Sequence, residues 1–85
     1  MGILYIMKIK STPKIQLGNN IKNIIESQNI KKAYVIREMQ LSGFPMTKQR
    51  FYRLENNQAH FTADELVMLS QILKCELTDF FIETQ

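Results

Sequence analysis

The chain has 85 residues, the length of one small domain, with 45% hydrophobic residues and a formal net charge of +3. That hydrophobic content belongs to a folded globule rather than a disordered tail, and so small a core leaves little room for a deep catalytic cleft. A lone cysteine, Cys75, excludes an intramolecular disulfide, the single His60 offers no clustered metal site, and no apolar run reaches membrane-spanning length. No metal or cofactor is therefore expected.

The charge is unevenly spread. Residues 1–53 hold ten Lys/Arg against two acids, a surplus of +8, whereas residues 54–85 hold Lys74 against six acids, a deficit of −5. A basic half on a small domain suits a phosphate-facing surface, and equally suits a solvated face with no partner.

Residues 1–16 read as an N-terminal arm. The apolar stretch from Ile3 to Ile9 is β-prone, and Ser11-Thr12-Pro13 breaks it. An edge strand, a swapped arm and a disordered tail are all compatible with it, and Met7 is a second candidate start. The stretch is too short for a signal-peptide core and has no basic residue before it, so the cytoplasm is the expected compartment. Strand content is expected in the arm alone.

Residues 17–85 form the expected domain, with five helical segments. The first spans 18–28, where Ile21, Ile24, Ile25 and Gln28 share one face. The second spans 31–39, with Val35, Ile36 and Met39 facing inward. Gly43 and Pro45 preclude an uninterrupted helix through residues 40–46. Thr47 is a suitable N-cap for a third helix ending at Glu55, with Phe51 and Leu54 pointing to the core. Asn57 tolerates the left-handed conformation in which helices often stop. Thr62-Ala63-Asp64-Glu65 is a capping box opening a fourth helix, with Leu66, Leu69, Ile72 and Leu73 as its apolar stripe. A short fifth helix begins with Thr78 as cap and holds Asp79-Phe80-Phe81-Ile82.

No nucleophile–base pair, carboxylate pair or glycine-rich phosphate loop stands out, so an enzyme is not expected. His60 reads as a surface residue in a loop, and Cys75 as a small buried hydrophobe.

Leu17-Gly18-Asn19-Asn20-Ile21, Ile30-Lys31-Lys32-Ala33-Tyr34-Val35, the run from Thr47 to Asn56, Phe61-Thr62-Ala63-Asp64-Glu65-Leu66 and Leu77-Thr78-Asp79-Phe80-Phe81 come in an order that resembles the phage repressor/Cro-like (XRE) helix-turn-helix family. The resemblance covers residues 17–82. Its most specific piece is 47–55, with a small N-cap, variable polar positions, two inward apolar residues and a terminal Glu. Three features depart from the family pattern. The turn between helices two and three is some five residues longer than usual, Ile36 stands where the family usually has Ala, and Asn57 replaces the glycine after the Glu. The resemblance implies an all-α, five-helix, lambda-repressor-like domain that binds double-stranded DNA and regulates transcription, with repression the expected mode.

In that arrangement the third helix enters the major groove. With Phe51 and Leu54 inward, Lys48, Gln49, Arg50, Tyr52 and Arg53 face outward as base contacts. Arg or Lys suits guanine, Gln suits adenine, and a Tyr ring suits a sugar or thymine methyl. Gln49 and Arg50 are the expected principal readers. Lys31 and Lys32, at a helix N-terminus, together with Asn56, Asn57 and Gln58 after the reading helix, are the expected phosphate contacts. Glu55 is expected to close its helix or pair with a cation such as Arg37. Phe80, Phe81 and Ile82 exceed what the base of the first helix can cover, and are the expected homodimer interface. The competing reading is a protein-interaction module, an antitoxin or anti-repressor that works mainly by masking a protein partner.

Overall fold

A computed structural model describes residues 8–9 and 14–83. They are mostly helical. Strand β1 (Lys8–Ile9) precedes helices α1 (Leu17–Ser27), α2 (Lys32–Leu41) and α3 (Lys48–Glu55). Strand β2 (Phe61–Thr62), helix α4 (Ala63–Leu73) and a 3₁₀ helix at Leu77–Phe81 complete the order. Where five helices were expected, the described residues hold four α-helices and one 3₁₀ helix. The last element is a tighter, shorter turn because Glu76 rather than Thr78 precedes it, its N–H donating to Asp79 Oδ2 at 3.0 Å.

The arm docks as an edge strand. Lys8 lies opposite Thr62 and Ile9 opposite Phe61 in an antiparallel pair. Strand is thus not confined to the arm, since β2 sits immediately before α4. The other arm residues 1–7 and 10–13 lie outside the described residues.

Each of the four helices ends in the same way. A residue one or two positions past the helical stretch turns left-handed, at Asn29 (φ 57°), Gly43 (φ 95°), Asn57 (φ 59°) and Lys74 (φ 54°). In every case the next N–H reaches back five residues: Ile30 to Ile25, Phe44 to Met39, Gln58 to Arg53 and Cys75 to Ser70. The left-handed residue's own N–H reaches back three, to Glu26, Gln40, Leu54 and Gln71. This double closure satisfies carbonyls that a helix end otherwise leaves without donors. It also explains why α2 runs two residues past the expected end. Gly43, the residue best suited to the left-handed turn, places the stop beyond Leu41.

The helices enclose one core. Leu17, Ile21 and Ile25 of α1, Val35 and Met39 of α2, Phe51 and Leu54 of α3, and Leu66, Leu69 and Leu73 of α4 are all buried, with Met46, Phe61 and Phe80. α1 packs on α3 and on the 3₁₀ helix, and α2 packs on α4 and α3. Phe80 belongs to this core, so its expected place in a dimer interface is corrected. Asn20, buried on α1, donates to the carbonyls of Phe80 (2.8 Å) and Ile82 (2.9 Å) and ties the 3₁₀ helix against the domain. Phe81 and Ile82 remain exposed. Gln28 is exposed at the end of its expected apolar face, yet its amide donates to the Leu73 carbonyl at 2.6 Å.

Lys74 is the one charged residue among the four left-handed stops. A side chain with a Cβ is disfavoured there, so Lys74→Gly is expected to raise stability by about 0.5–1 kcal/mol in urea unfolding. Asn57→Gly is expected to lower it despite the same backbone relief, because the Asn57 side chain accepts from Gly18 N and donates to Asn19. Stabilisation by both substitutions would contradict this account of Asn57.

Candidate nucleic-acid interface

α2 and α3 meet at an angle set by the turn between them, and their outer faces enclose an open depression. Its floor is Ala33, Ile36 and Phe51. Its rim carries Arg37 and Gln40 from α2 and Lys48, Gln49, Tyr52 and Arg53 from α3, all exposed. Ile36, expected in the core, is only partly buried because it faces this depression. The turn is tied across its mouth: Gln40 Nε2 donates to the Met46 carbonyl at 2.7 Å, and Met46 itself is buried.

α3 starts at the expected cap. Thr47 is extended, and its hydroxyl accepts from Arg50 N at 3.0 Å. The helix then buries Phe51 and Leu54 and leaves four of the five expected base-contacting side chains on the outer side. Lys48, Gln49 and Tyr52 are exposed, and Tyr52 keeps 62% of its surface open. Arg53 is exposed, with one long contact from its guanidinium to the Gln58 carbonyl at 3.5 Å.

Arg50, expected as a principal base reader, differs from them in being half-buried and ion-paired. Its guanidinium lies against the Glu65 carboxylate of α4, with Nε 3.1 Å from Oε2 and a terminal nitrogen 2.8 Å from Oε1 and 2.9 Å from Oε2. The same nitrogen donates to the His60 carbonyl at 3.2 Å. Glu65 is buried and also fills the capping box, Oε1 accepting from Thr62 N at 2.8 Å. The short hydrogen bonds of a two-point Arg–carboxylate fork engage the side chain with α4, while it still lines the depression and keeps 35% of its surface open.

The expected phosphate contacts divide as well. Lys31 is exposed and leads into α2 with no side-chain cap, its carbonyl accepting from Tyr34 N at 3.0 Å, so a cation stands at the positive end of the helix. Lys32 Nζ sits 3.0 Å from Glu55 Oε1, while its side chain stays about half exposed at 46%. The partner of Glu55 is therefore Lys32 rather than Arg37. Glu55 is only 4% exposed, and its Oε2 has no hydrogen-bond partner among the described residues. Asn56 is exposed, its amide donating to the Tyr52 carbonyl at 2.8 Å, and Gln58 is exposed. Asn57, also expected as a phosphate contact, is half-buried and links α3 to α1. Its Oδ1 accepts from Gly18 N at 3.0 Å and its Nδ2 donates to Asn19 Oδ1 at 3.1 Å, both directed at α1.

Glu55 is the one carboxylate lining the depression, and Lys32 neutralises it. The acids of the chain's second half lie elsewhere. Near the 3₁₀ helix, burial together with Asp79 and Glu76 raises the Cys75 thiol above its ordinary range. Cys75 is half-buried rather than a full core residue. His60 is exposed, as expected of a loop histidine. No helix among the described residues is long and apolar enough to cross a membrane.

Three contributors escaped the sequence reading. Gly18 is one. A Cβ there would collide with the Leu54 carbonyl oxygen and lie within 2.7 Å of the Glu55 carbonyl group, so only glycine lets α1 approach the end of α3. Glu65 was legible as a cap but not as a partner of Arg50 fifteen residues away. Ala33 and Ile36 as a groove floor carried no separate signal. Comparison with family models, with curated proteins and with solved structures finds no match for the chain.

The two neighbouring lysines differ in what their loss would do to the fold. Lys32→Ala leaves a buried carboxylate without its cation, and is expected to destabilise by about 1–2 kcal/mol, discounted for the exposure of Lys32. Lys31→Ala is expected within about 0.5 kcal/mol of the parent. Equal denaturation midpoints for the two variants would show that the Lys32–Glu55 pair contributes nothing.

Proposed function

We propose that the chain is a lambda-repressor-like DNA-binding domain that regulates transcription, reading the major groove with the outer face of α3. The observation that carries the proposal is the α2–α3 face. Polar and cationic groups suited to base edges stand side by side on α3, a bare cationic helix start lies beside them on α2, and the single carboxylate between is ion-paired and buried.

Each group has a distinct task. An α-helix fits the width of the major groove. Gln49 presents both a donor and an acceptor, the complement of adenine N7 and N6. Lys48 and Arg53 present donors to guanine O6 and N7. The Tyr52 ring, open to solvent, offers an apolar edge to a thymine methyl. Lys31 and the first-turn N–H groups of α2 take a backbone phosphate by charge and by dipole. Lys32 shares its charge between Glu55 and the same phosphate, and Asn56 and Gln58 lie where the backbone would pass the end of α3. Phosphate contacts set register, and the α3 side chains set sequence.

Binding should weaken steeply with salt. Neutralising phosphates through Lys31 and Lys32 predicts a slope of log affinity against log salt of about −2, with Lys31→Ala shallower by about one unit for every DNA sequence. Gln49→Ala should instead lose about 1–3 kcal/mol of discrimination at one base pair and leave the salt slope in place. Fluorescence anisotropy on duplexes selected from a random pool measures both. Absence of binding to any duplex at low salt would sink the proposal.

A further inference from the structure

The α3 helix has to present a defined face, yet it is short and joined to α2 by a six-residue connection, residues 42–47. Only two of its apolar side chains, Phe51 and Leu54, fix its roll about its own axis. Two contacts leave a helix free to rock, since apolar packing has no direction. Its C-terminal end is tied to α1 through Asn57, and two further polar constraints lie on opposite flanks. On the α2 side is the Lys32–Glu55 pair. On the α4 side is Arg50, whose three contacts of 3.1 Å or less to Glu65 and fourth to the His60 carbonyl span the gap to α4 and the segment before β2.

Glu65 is well placed to act as a fixed post. It sits in the first turn of α4, is buried, and is held by the capping box through Thr62 N. Thr62 is in turn paired with β1. The position of Arg50 is thereby referred to α4 and to the strand pair rather than to α3 alone. Arg is suited to this because its planar fork makes two directed bonds to one carboxylate, which a lysine does not.

Resting on the DNA-reading proposal, we propose that Arg50 and Glu65 are positioning residues for recognition: their fork sets the roll of α3, so that Lys48, Gln49, Tyr52 and Arg53 meet base edges, while Arg50 itself touches no base. Base reading is sensitive to roll and non-specific phosphate attraction is not. Loss of the fork therefore lowers discrimination at every position of the site at once, instead of at one.

Glu65→Gln isolates the fork, because Gln serves in a capping box as Glu does and so keeps α4 capped. Arg50→Lys keeps the charge and removes the second directed bond. Anisotropy is read with a duplex selected by the parent protein and with a scrambled duplex. Either variant is expected to lose about tenfold in affinity for the selected duplex. Affinity for the scrambled one should hold within about threefold, because that binding is sequence-independent charge attraction. The order of preferred bases should be retained at each position, and the double variant should be no worse than either single one, as expected of two residues acting through one contact. Thermal unfolding of the same variants separates loss of fold from loss of roll.

A changed preference at a single base pair in Arg50→Lys, with Glu65→Gln unaffected, would make Arg50 a base reader and overturn the inference. Equal losses on both duplexes would make it a phosphate contact and overturn it too. If the parent protein itself fails to distinguish the two duplexes, DNA reading fails rather than the fork. Amide hydrogen exchange then decides the fork alone: Glu65→Gln should speed exchange in α3 about tenfold relative to α1, and unchanged exchange would refute it.

Discussion

The close approach of α1 to the C-terminal end of α3 is the contact on which the remainder depends. Gly18 has no Cβ, so its backbone can lie against the carbonyls of Leu54 and Glu55. That proximity lets Gly18 N donate to Asn57 Oδ1, which holds Asn57 in the left-handed turn that ends α3. With the end of α3 fixed in this way, Leu54 enters the core and Glu55 is drawn under the protein surface beside Lys32. A single methyl group at position 18 would therefore disturb a helix stop, a core residue and a buried ion pair together.

Burying Glu55 is costly, and the Lys32 pair recovers only part of that cost because the lysine remains half in water. A carboxylate oxygen without a donor is a poor choice for stability alone. It has a clear consequence for the face above it. A carboxylate left exposed among Lys48, Arg53 and Lys31 would repel any phosphate they attracted. Drawn inward and neutralised, it leaves the depression between α2 and α3 lined by cationic and neutral side chains. Glu65 follows the same pattern on the other flank, taken up by Arg50 and the capping box. Glu55 and Glu65 are thus both ion-paired braces on the flanks of α3.

Local signals in the sequence were strong and long-range ones were weak, for a physical reason. Thr47 as cap, the Thr62–Glu65 box, Asn57 as a left-handed stop and the core residues Phe51, Leu54, Leu66, Leu69 and Leu73 all depend on neighbours within one or two helical turns. Those features match the structure. The destinations of polar side chains depend on which helix lies opposite, and no spacing rule carries that information. Arg50 looks outward on a helical wheel, yet a carboxylate fifteen residues away turns it aside. Asn57 looks like a solvent-facing amide after a helix, yet it faces α1. Phe80 looks like surplus apolar area, yet the Asn20 amide holds its carbonyl and draws the ring under α1. The short β1–β2 pair was half legible, since an apolar arm suggests a strand but does not name its partner.

The long turn between α2 and α3 is best understood together with the braces. Extra residues between two packed helices loosen the relation between them, because the added backbone brings conformational freedom of its own. Here the added freedom is countered at four points: Gly43 closes α2, Gln40 bridges to the Met46 carbonyl, Met46 is buried, and Arg50 is held to Glu65. The first three fix where the turn goes, while the fourth alone acts on the roll of the helix that follows. A shorter turn would constrain that roll through the backbone itself. In this chain the same constraint falls to a side-chain fork, which gives the half-buried cation at position 50 a task different from that of its exposed neighbours.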